Sequence, residues 1–273
     1  PAGRPPADRS LVAALDASNR RWGLFIGRQL ERWAAGNTIT LVAGQQVGFA
    51  GGPLYTLAKI ASLVRMKRDL ESAGKPATVF FWLATEDHDL DEVAQLAVPI
   101  STVDRGAVNR QLDLLSIRTT RSIESKTAVG DVAVPEALIT ELLALYEMPR
   151  PAWLREGVTF RDSFAELVAS VFGDQVILVD SLLPELRRAG APLFQQIGKR
   201  WREIQGSLKK RSDDLEAAGY SPQVLPREDG EYTLLFELDG RGERHIVDKP
   251  RAIEPERTST SALTRPLLQD AVL

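Results

Sequence analysis

The chain contains no cysteine, which removes disulfides, thiolate catalysis and cysteine metal sites together. Histidine is nearly as scarce, with His88 and His245 alone available for acid–base work near neutral pH. An excess of one charge is lacking too: 34 basic residues face 37 acidic ones, a formal net charge of -3. No overall field draws the chain to nucleic acid or to a membrane, and neither is expected as a partner. Nor does any apolar run approach the roughly 20 residues needed to span a bilayer. The longest, Val79 to Ala84, is of strand length. The start, Pro1-Ala2-Gly3-Arg4-Pro5-Pro6, has neither an apolar signal core nor an initiator methionine, as expected of a processed or cut end. Internal repeats and low-complexity tracts are missing as well. What is present is ordinary for a globular protein: 273 residues, 44% hydrophobic and 26% charged, enough for one large domain or two smaller ones.

The most informative stretch is a short strand, Ile39 to Ala43, running into Gly44-Gln45-Gln46-Val47-Gly48 and then Gly51-Gly52-Pro53 at a helix start. A strand, a glycine-rich loop and a helix N-terminus gather flexible backbone and unpaired N–H groups at one point, where α/β proteins hold anionic or nucleotide-like ligands. The spacing fits neither G-x-G-x-x-G nor the P-loop. Leu54, Leu57, Ala58, Ala61 and Val64 form the stripe of a helix ending at Gly74, and Ala77 to Ala84 reads as a strand covered on both faces. Strand, helix and strand make one βαβ unit, so the sheet is expected to be parallel.

Before this unit, Ser10 to about Ala35 reads as one helix. After it, Val98 to about Val158 loosens, with weak strand-like pieces and a short helix from Pro135 to Tyr146. Thr159 then caps a helix stopped by Gly173, and Gln175 to Asp180 is a second buried strand. Pro184 to about Ala218 is expected to be strongly helical, with a solvated basic face. Residues 231–247 read as a hairpin turning at Asp239-Gly240, and Thr258 to Leu263 as a polar loop.

Chemistry concentrates at two strand ends that a βαβ unit places side by side. After the second comes Thr85-Glu86-Asp87-His88-Asp89-Leu90-Asp91-Glu92. Asp89, Asp91 and Glu92 suit the positive end of a following helix, whereas Glu86, Asp87 and His88 fall before it. Of the two histidines, His88 is the better candidate for proton transfer, and His245 suits a surface or packing role. One histidine among hard carboxylates would suit magnesium or manganese better than zinc, and no metal is assigned. Tyr55, Thr56 and Lys59 share a helix face beside the glycine loop, where a cation and two hydroxyls suit a carboxylate or phosphate. Arg265 precedes Pro266, which would hold it extended for bidentate anion binding. No nucleophile-elbow motif supports a Ser-His-Asp triad.

Together, "VAGQQVGFAGGPLYTLAK", "VFFWLATEDHDLDEV", "TFRDSFAELVASVFGD" with "VILVD", "GYSPQV" and "LTRPLLQD" resemble the bacillithiol biosynthesis cysteine-adding enzyme family. These stretches occur in the family's order and run from about Thr38 to the end. The resemblance implies an α/β fold with a Rossmann-like parallel sheet, helices on both faces, a nucleotidylyltransferase-like core and inserted connecting segments. The corresponding division is an N-terminal helical segment over 1–37, a first half of the core over 38–97 and an inserted connecting segment over 98–158. A continuation of the core, with a long helix and a hairpin insertion, then covers 159–273. It further implies a cytoplasmic ligase adding L-cysteine to glucosaminyl-malate, the last step to bacillithiol, with ATP or another nucleotide suspected of activating the carboxylate. Gly44, Gln45 and Gln46 would line the sugar or nucleotide pocket, with Tyr55 and Thr56 beside it. Lys59 and Arg265 would hold malate carboxylates or an activating phosphate. His88, set by Asp87 or Asp89 and near Glu86, would accept a proton from the attacking amine. The H-I-G-H residues of the nucleotidyl-transfer relatives are not found, and the family's proteins are longer. The remaining core strands and the C-terminal coiled coil expected to form the family homodimer are missing here, which is expected to leave an open sheet edge. Two alternatives stay open: another nucleotide-activating enzyme on the same core, or a truncated ligand-binding fragment without activity alone.

Overall fold

A computed structural model of the chain describes residues 7–100, 113–118, 128–222, 233–239, 244–247, 254–260 and 264–273. The chain divides into two compact units, Pro1–Ser181 and Leu182–Leu273.

The first unit is built on a three-stranded parallel sheet of β1 (Ile39–Gln45), β2 (Ala77–Leu83) and β5 (Ile177–Asp180), with β2 in the centre. Every residue of β2 is buried, as its unbroken apolar run requires. Neighbouring residues of a strand point to opposite faces, and β2 shows both covered. Phe81 stacks on Phe164 of α6 (Phe160–Phe172) at 6.2 Å, while Phe80 meets Trp33 of α2 (Gly27–Ala34) edge-on at 5.0 Å. The helix α3 (Leu54–Ser72) crosses from β1 to β2 and is closed by Gly74 at φ +73°. The doubly covered parallel sheet expected from the sequence is therefore present.

The long first helix is in fact two, α1 (Arg9–Arg21) and α2, because the chain turns through Gly23 at φ +86°, a left-handed conformation that glycine adopts without steric cost. Asp8 caps α1 by accepting from the Ser10 and Leu11 N–H groups. The last turn of α1 also closes the sheet. Asn19 is fully buried, and its side chain accepts from the Leu178 N–H at 2.9 Å and donates to the Leu178 carbonyl at 2.8 Å. The edge of β5 is thus not open at Leu178: an amide side chain takes the place of a neighbouring strand's peptide group.

Between β2 and β5 lie the short α4 (Leu90–Val93), the antiparallel pair β3 (Gln95–Ile100) and β4 (Asp113–Arg118), and α5 (Glu136–Tyr146). Thr159 caps α6 by accepting from the Asp162 N–H at 3.1 Å, and Trp22 Nε1 donates to Asp162 Oδ1 at 2.8 Å.

In the second unit, the stretch expected to be strongly helical is so, as two helices that meet at Gly190, α7 (Pro184–Ala189) and α8 (Ala191–Ala217). A Cβ on Gly190 would stand 2.3 Å from Leu268 Cδ1, so glycine is needed for close packing of α9 (Arg265–Val272). The strands β6 (Leu235–Leu238) and β7 (Arg244–Ile246) pair antiparallel as the hairpin reading requires, and the Gly240 turn lies outside the described residues. The polar stretch read as a loop contains a strand instead, β8 (Thr258–Thr260), which pairs with the other side of β6 and is wholly buried. Its Thr-Ser-Thr sequence hides the apolar alternation by which a half-buried strand is recognised.

Candidate active site

The parallel register sets Gln45, Leu83 and Asp180 in one row across the sheet. The ladder continues one step further, with Ala84 N–H donating to the Gln45 carbonyl at 3.0 Å and Ser181 N–H to the Leu83 carbonyl at 3.3 Å. All three carboxyl ends thus open at one level, where α/β sheets hold their ligands.

From β1 the chain leaves through the glycine loop. A Cβ on Gly48 would stand 2.7 Å from Gly52 Cα, and Ala50, Gly51 and Gly52 all have positive φ. The close backbone approach explains the glycines, and Ala50 at φ 49° holds a conformation uncommon outside glycine. Pro53 caps α3 from outside rather than filling its first position. The Thr56 side chain is fully buried, and its hydroxyl has no hydrogen-bond partner among the described residues.

From α3, Lys59 Nζ reaches back over the exposed Tyr55 ring, 4.7 Å from its centroid, and donates to Gln45 Oε1 at 2.8 Å. Gln45 Nε2 donates to Gln46 Oε1 at 2.6 Å, and Gln46 Nε2 to Glu92 Oε2 at 2.9 Å and Asp87 Oδ2 at 3.4 Å. An unbroken chain of side chains therefore joins the cation on α3 to the acidic turn after β2.

Within that turn the carboxylates have separate tasks. Asp87 Oδ1 accepts the His88 N–H at 2.8 Å and stands 3.7 Å from His88 Nδ1, whose ring is about half exposed. Asp89 caps α4 by accepting the Glu92 N–H at 3.0 Å, so of the two aspartates Asp87 is the one set beside the imidazole. Glu86 is buried. Among the described residues, no group of three or more histidine and acidic side chains is arranged to hold a metal ion.

Arg265 and His245 belong to the second unit. Arg265 opens α9 instead of being held extended, because Pro266 is tolerated in a first helical turn whose N–H groups have no intrahelical acceptor. His245 is exposed on β7, 3.0 Å from Asp239 Oδ2.

The sequence reading missed a cluster at the end of β5. Asp180 and Ser181 are buried and bond to the Thr85–Glu86 segment, and Arg161 of α6 donates to Asp131 at 2.8 Å and stands 3.5 Å from Asp180. Burial opposes the Arg161 charge, but Asp180, Asp131 and Asp162 outweigh it and hold the guanidinium above its ordinary pKa. The signal that could have found the cluster was the strand-end rule itself, applied to β5 as it was to β1 and β2.

Burial likewise pushes the Asp162 carboxyl up, and the Trp22 hydrogen bond, Arg161, Arg21 and Thr159 together bring it below its usual value. A depressed folded pKa contributes stability that is present above the unfolded value of about 4 and lost as pH falls through the folded one. The gap in melting temperature between wild type and Asp162→Asn should be full at pH 7 and close below about pH 4. A gap that is constant with pH would show that the Asp162 charge contributes nothing.

Comparison with known proteins agrees with this architecture. Residues 3–252 match the family described as "Bacillithiol biosynthesis BshC, N-terminal Rossmann-like domain". A protein of Halalkalibacterium halodurans, named "Putative cysteine ligase BshC", is 29% identical over 98% of this chain and 54% of its own length. Proteins with the same name from Bacillus thuringiensis (strain Al Hakam) and Bacillus cereus (strain B4264) are 30% and 28% identical, each over 86% of this chain and 48% of their own length. The chain spans about half the length of the curated relatives it matches. With the family match covering the parallel sheet and all three of its strand ends, the chain belongs to the bacillithiol biosynthesis BshC family and carries its N-terminal Rossmann-like domain.

Proposed function

We propose that the strand ends of the first unit form the reacting centre of a cytoplasmic ligase that joins L-cysteine to glucosaminyl-malate, giving bacillithiol. The observation that carries this reading is the continuous link from Lys59 through Gln45 and Gln46 to Asp87 and Glu92. It sets an anion-binding cation and an acid–base turn on one platform, as an amide-forming reaction between a carboxylate and an amine on an acidic sugar conjugate requires.

In this reading Gly44, Gln45, Gln46, Tyr55 and Thr56 line the pocket, and Lys59 holds a malate carboxylate or an activating phosphate. His88, oriented by Asp87, takes the proton that the attacking amine loses as the C–N bond forms, with Glu86 beside it. A free carboxylate is a poor acyl donor, so a nucleotide triphosphate would supply the leaving group. The α3 N-terminus and Lys59 suit its negative charge.

The test is mass spectrometry for bacillithiol after mixing the purified full-length protein with cysteine and glucosaminyl-malate, with and without ATP. Lys59→Met should lower kcat/KM by about 10- to 100-fold, the loss of one charge-assisted contact. His88→Gln should lower kcat by about 100-fold or more, as expected for a general base. Normal turnover in both variants would sink the assignment. Product from other amines but none from glucosaminyl-malate would replace it with a different amide-forming enzyme.

A further inference from the structure

Asp180 and Ser181 close β5 and are 3% and 2% exposed, so neither is a surface group. Their side chains reach sideways to the segment that follows β2. Ser181 Oγ accepts the Glu86 N–H at 3.2 Å and lies 3.1 Å from Thr85 Oγ1, while Asp180 Oδ1 accepts the Thr85 hydroxyl. The second Asp180 oxygen is 3.5 Å from Arg161 Nη1, which also donates to Asp131 Oδ1 at 2.8 Å. A buried carboxylate is costly unless paired and hydrogen-bonded, and Asp180 is held from both sides.

The same segment is also held by backbone. Val129 N–H donates to the Asp87 carbonyl at 2.7 Å and Gly130 N–H to the Thr85 carbonyl at 3.0 Å. The bonds made by Asp87 and Asp89 shape the Glu86–Asp89 turn internally. Where the turn stands on the sheet is set by its bonds to other segments: the Val129 and Gln46 bonds to Asp87, and the contacts at Thr85 and Glu86.

We propose that Ser181 and Asp180 are positioning residues for the Glu86–Asp89 turn, setting Asp87 and His88 against Gln46 and Lys59 without touching a reactant themselves. The inference rests on the reading of that turn as the proposed reaction centre. A displacement of about 1 Å in a catalytic group can cost about 100-fold in rate, so one buried hydroxyl that fixes a main-chain N–H is enough to matter.

The experiment is carried out on the full-length protein with Ser181→Ala, Ser181→Thr and Asp180→Asn. Ser181→Ala removes one hydroxyl, Ser181→Thr keeps it, and Asp180→Asn keeps an acceptor for Thr85 while losing the charge that faces Arg161. In Ser181→Ala, kcat should fall about 10- to 100-fold with KM for both substrates within about twofold. Ser181→Thr should recover most of kcat. The His88 imidazole signal in a proton–nitrogen NMR spectrum should move in Ser181→Ala, with the His245 signal of the second unit as the stationary reference. Should Ser181→Ala not fold, the same two readouts on Asp180→Asn decide. A His88 signal that stays in place in a folded variant overturns the proposal, whatever the rate does. A signal that moves while kcat is unchanged leaves the positioning contact standing and sinks the reading of the turn as the reaction centre.

Discussion

Asn19→Ala should destabilise the first unit by about 3 kcal/mol, because it strips the Leu178 N–H and carbonyl of their partner at once. Each unsatisfied buried backbone group costs about 1–3 kcal/mol, so the two together cost about 2–6 kcal/mol, and water entering the vacated space keeps the sum toward the lower part of that range. For a unit of this size the melting midpoint should fall by about 6–12 °C. Ser18→Ala is the matched control: its buried hydroxyl donates to the Leu15 carbonyl within its own helix, at 3.1 Å. Its loss should cost less than about 1.5 kcal/mol. Equal midpoints for the two variants would show that Asn19 does not hold the edge of β5. Asn19→Asp should be no milder than alanine, since it keeps the acceptor for the Leu178 N–H but loses the donor and buries a charge.

Asn19 also marks where sequence reading reaches its limit. The strands β1, β2 and β5 were legible because they are continuous apolar runs bounded by turn residues, and α3 and α6 because glycine follows each. An asparagine in the last turn of a helix carries no local signal that its partner lies 159 residues away. The strand-end rule could have singled out Asp180, but its bond to Thr85, 95 residues away, is hidden for the same reason. Gln45, Gln46 and Asp87 are legible as candidates because each lies within a few residues of a recognisable strand end, and Lys59 because it shares a helix face with Tyr55 beside the glycine loop. Their mutual bonds were not foreseen, since which glutamine faces the lysine depends on the path of the glycine loop. Glu92, read as a helix-start residue, turns out to accept from Gln46 as well.

The segment between β2 and β5 is the least legible part, yet it returns to the candidate site through Gly130. A Cβ at this position would stand 2.5 Å from Thr85 Cβ, 2.9 Å from its Cγ2 and 3.1 Å from its Cα. These atoms belong to or adjoin the main chain, so no flexible side-chain tip can move aside. Gly130→Ala must therefore push the 129–131 turn away from Thr85, weakening the bonds from Val129 and Gly130 to the Asp87 and Thr85 carbonyls. The stability cost should be about 1–3 kcal/mol, typical of overpacking. Gly74→Ala gives a loss of similar size by a different route. Nothing lies within 4 Å of its Cβ, but φ is +73°, and a left-handed alanine costs about 1–2 kcal/mol. Turnover separates the two. Measured on the full-length protein in the proposed ligation, well below both melting midpoints, Gly74→Ala should keep the wild-type rate, while Gly130→Ala should be slower by about 100-fold, as for the proposed reaction turn displaced by about 1 Å. Equal rates in the two variants would mean that the 129–131 turn braces the fold and has no hold on the chemistry.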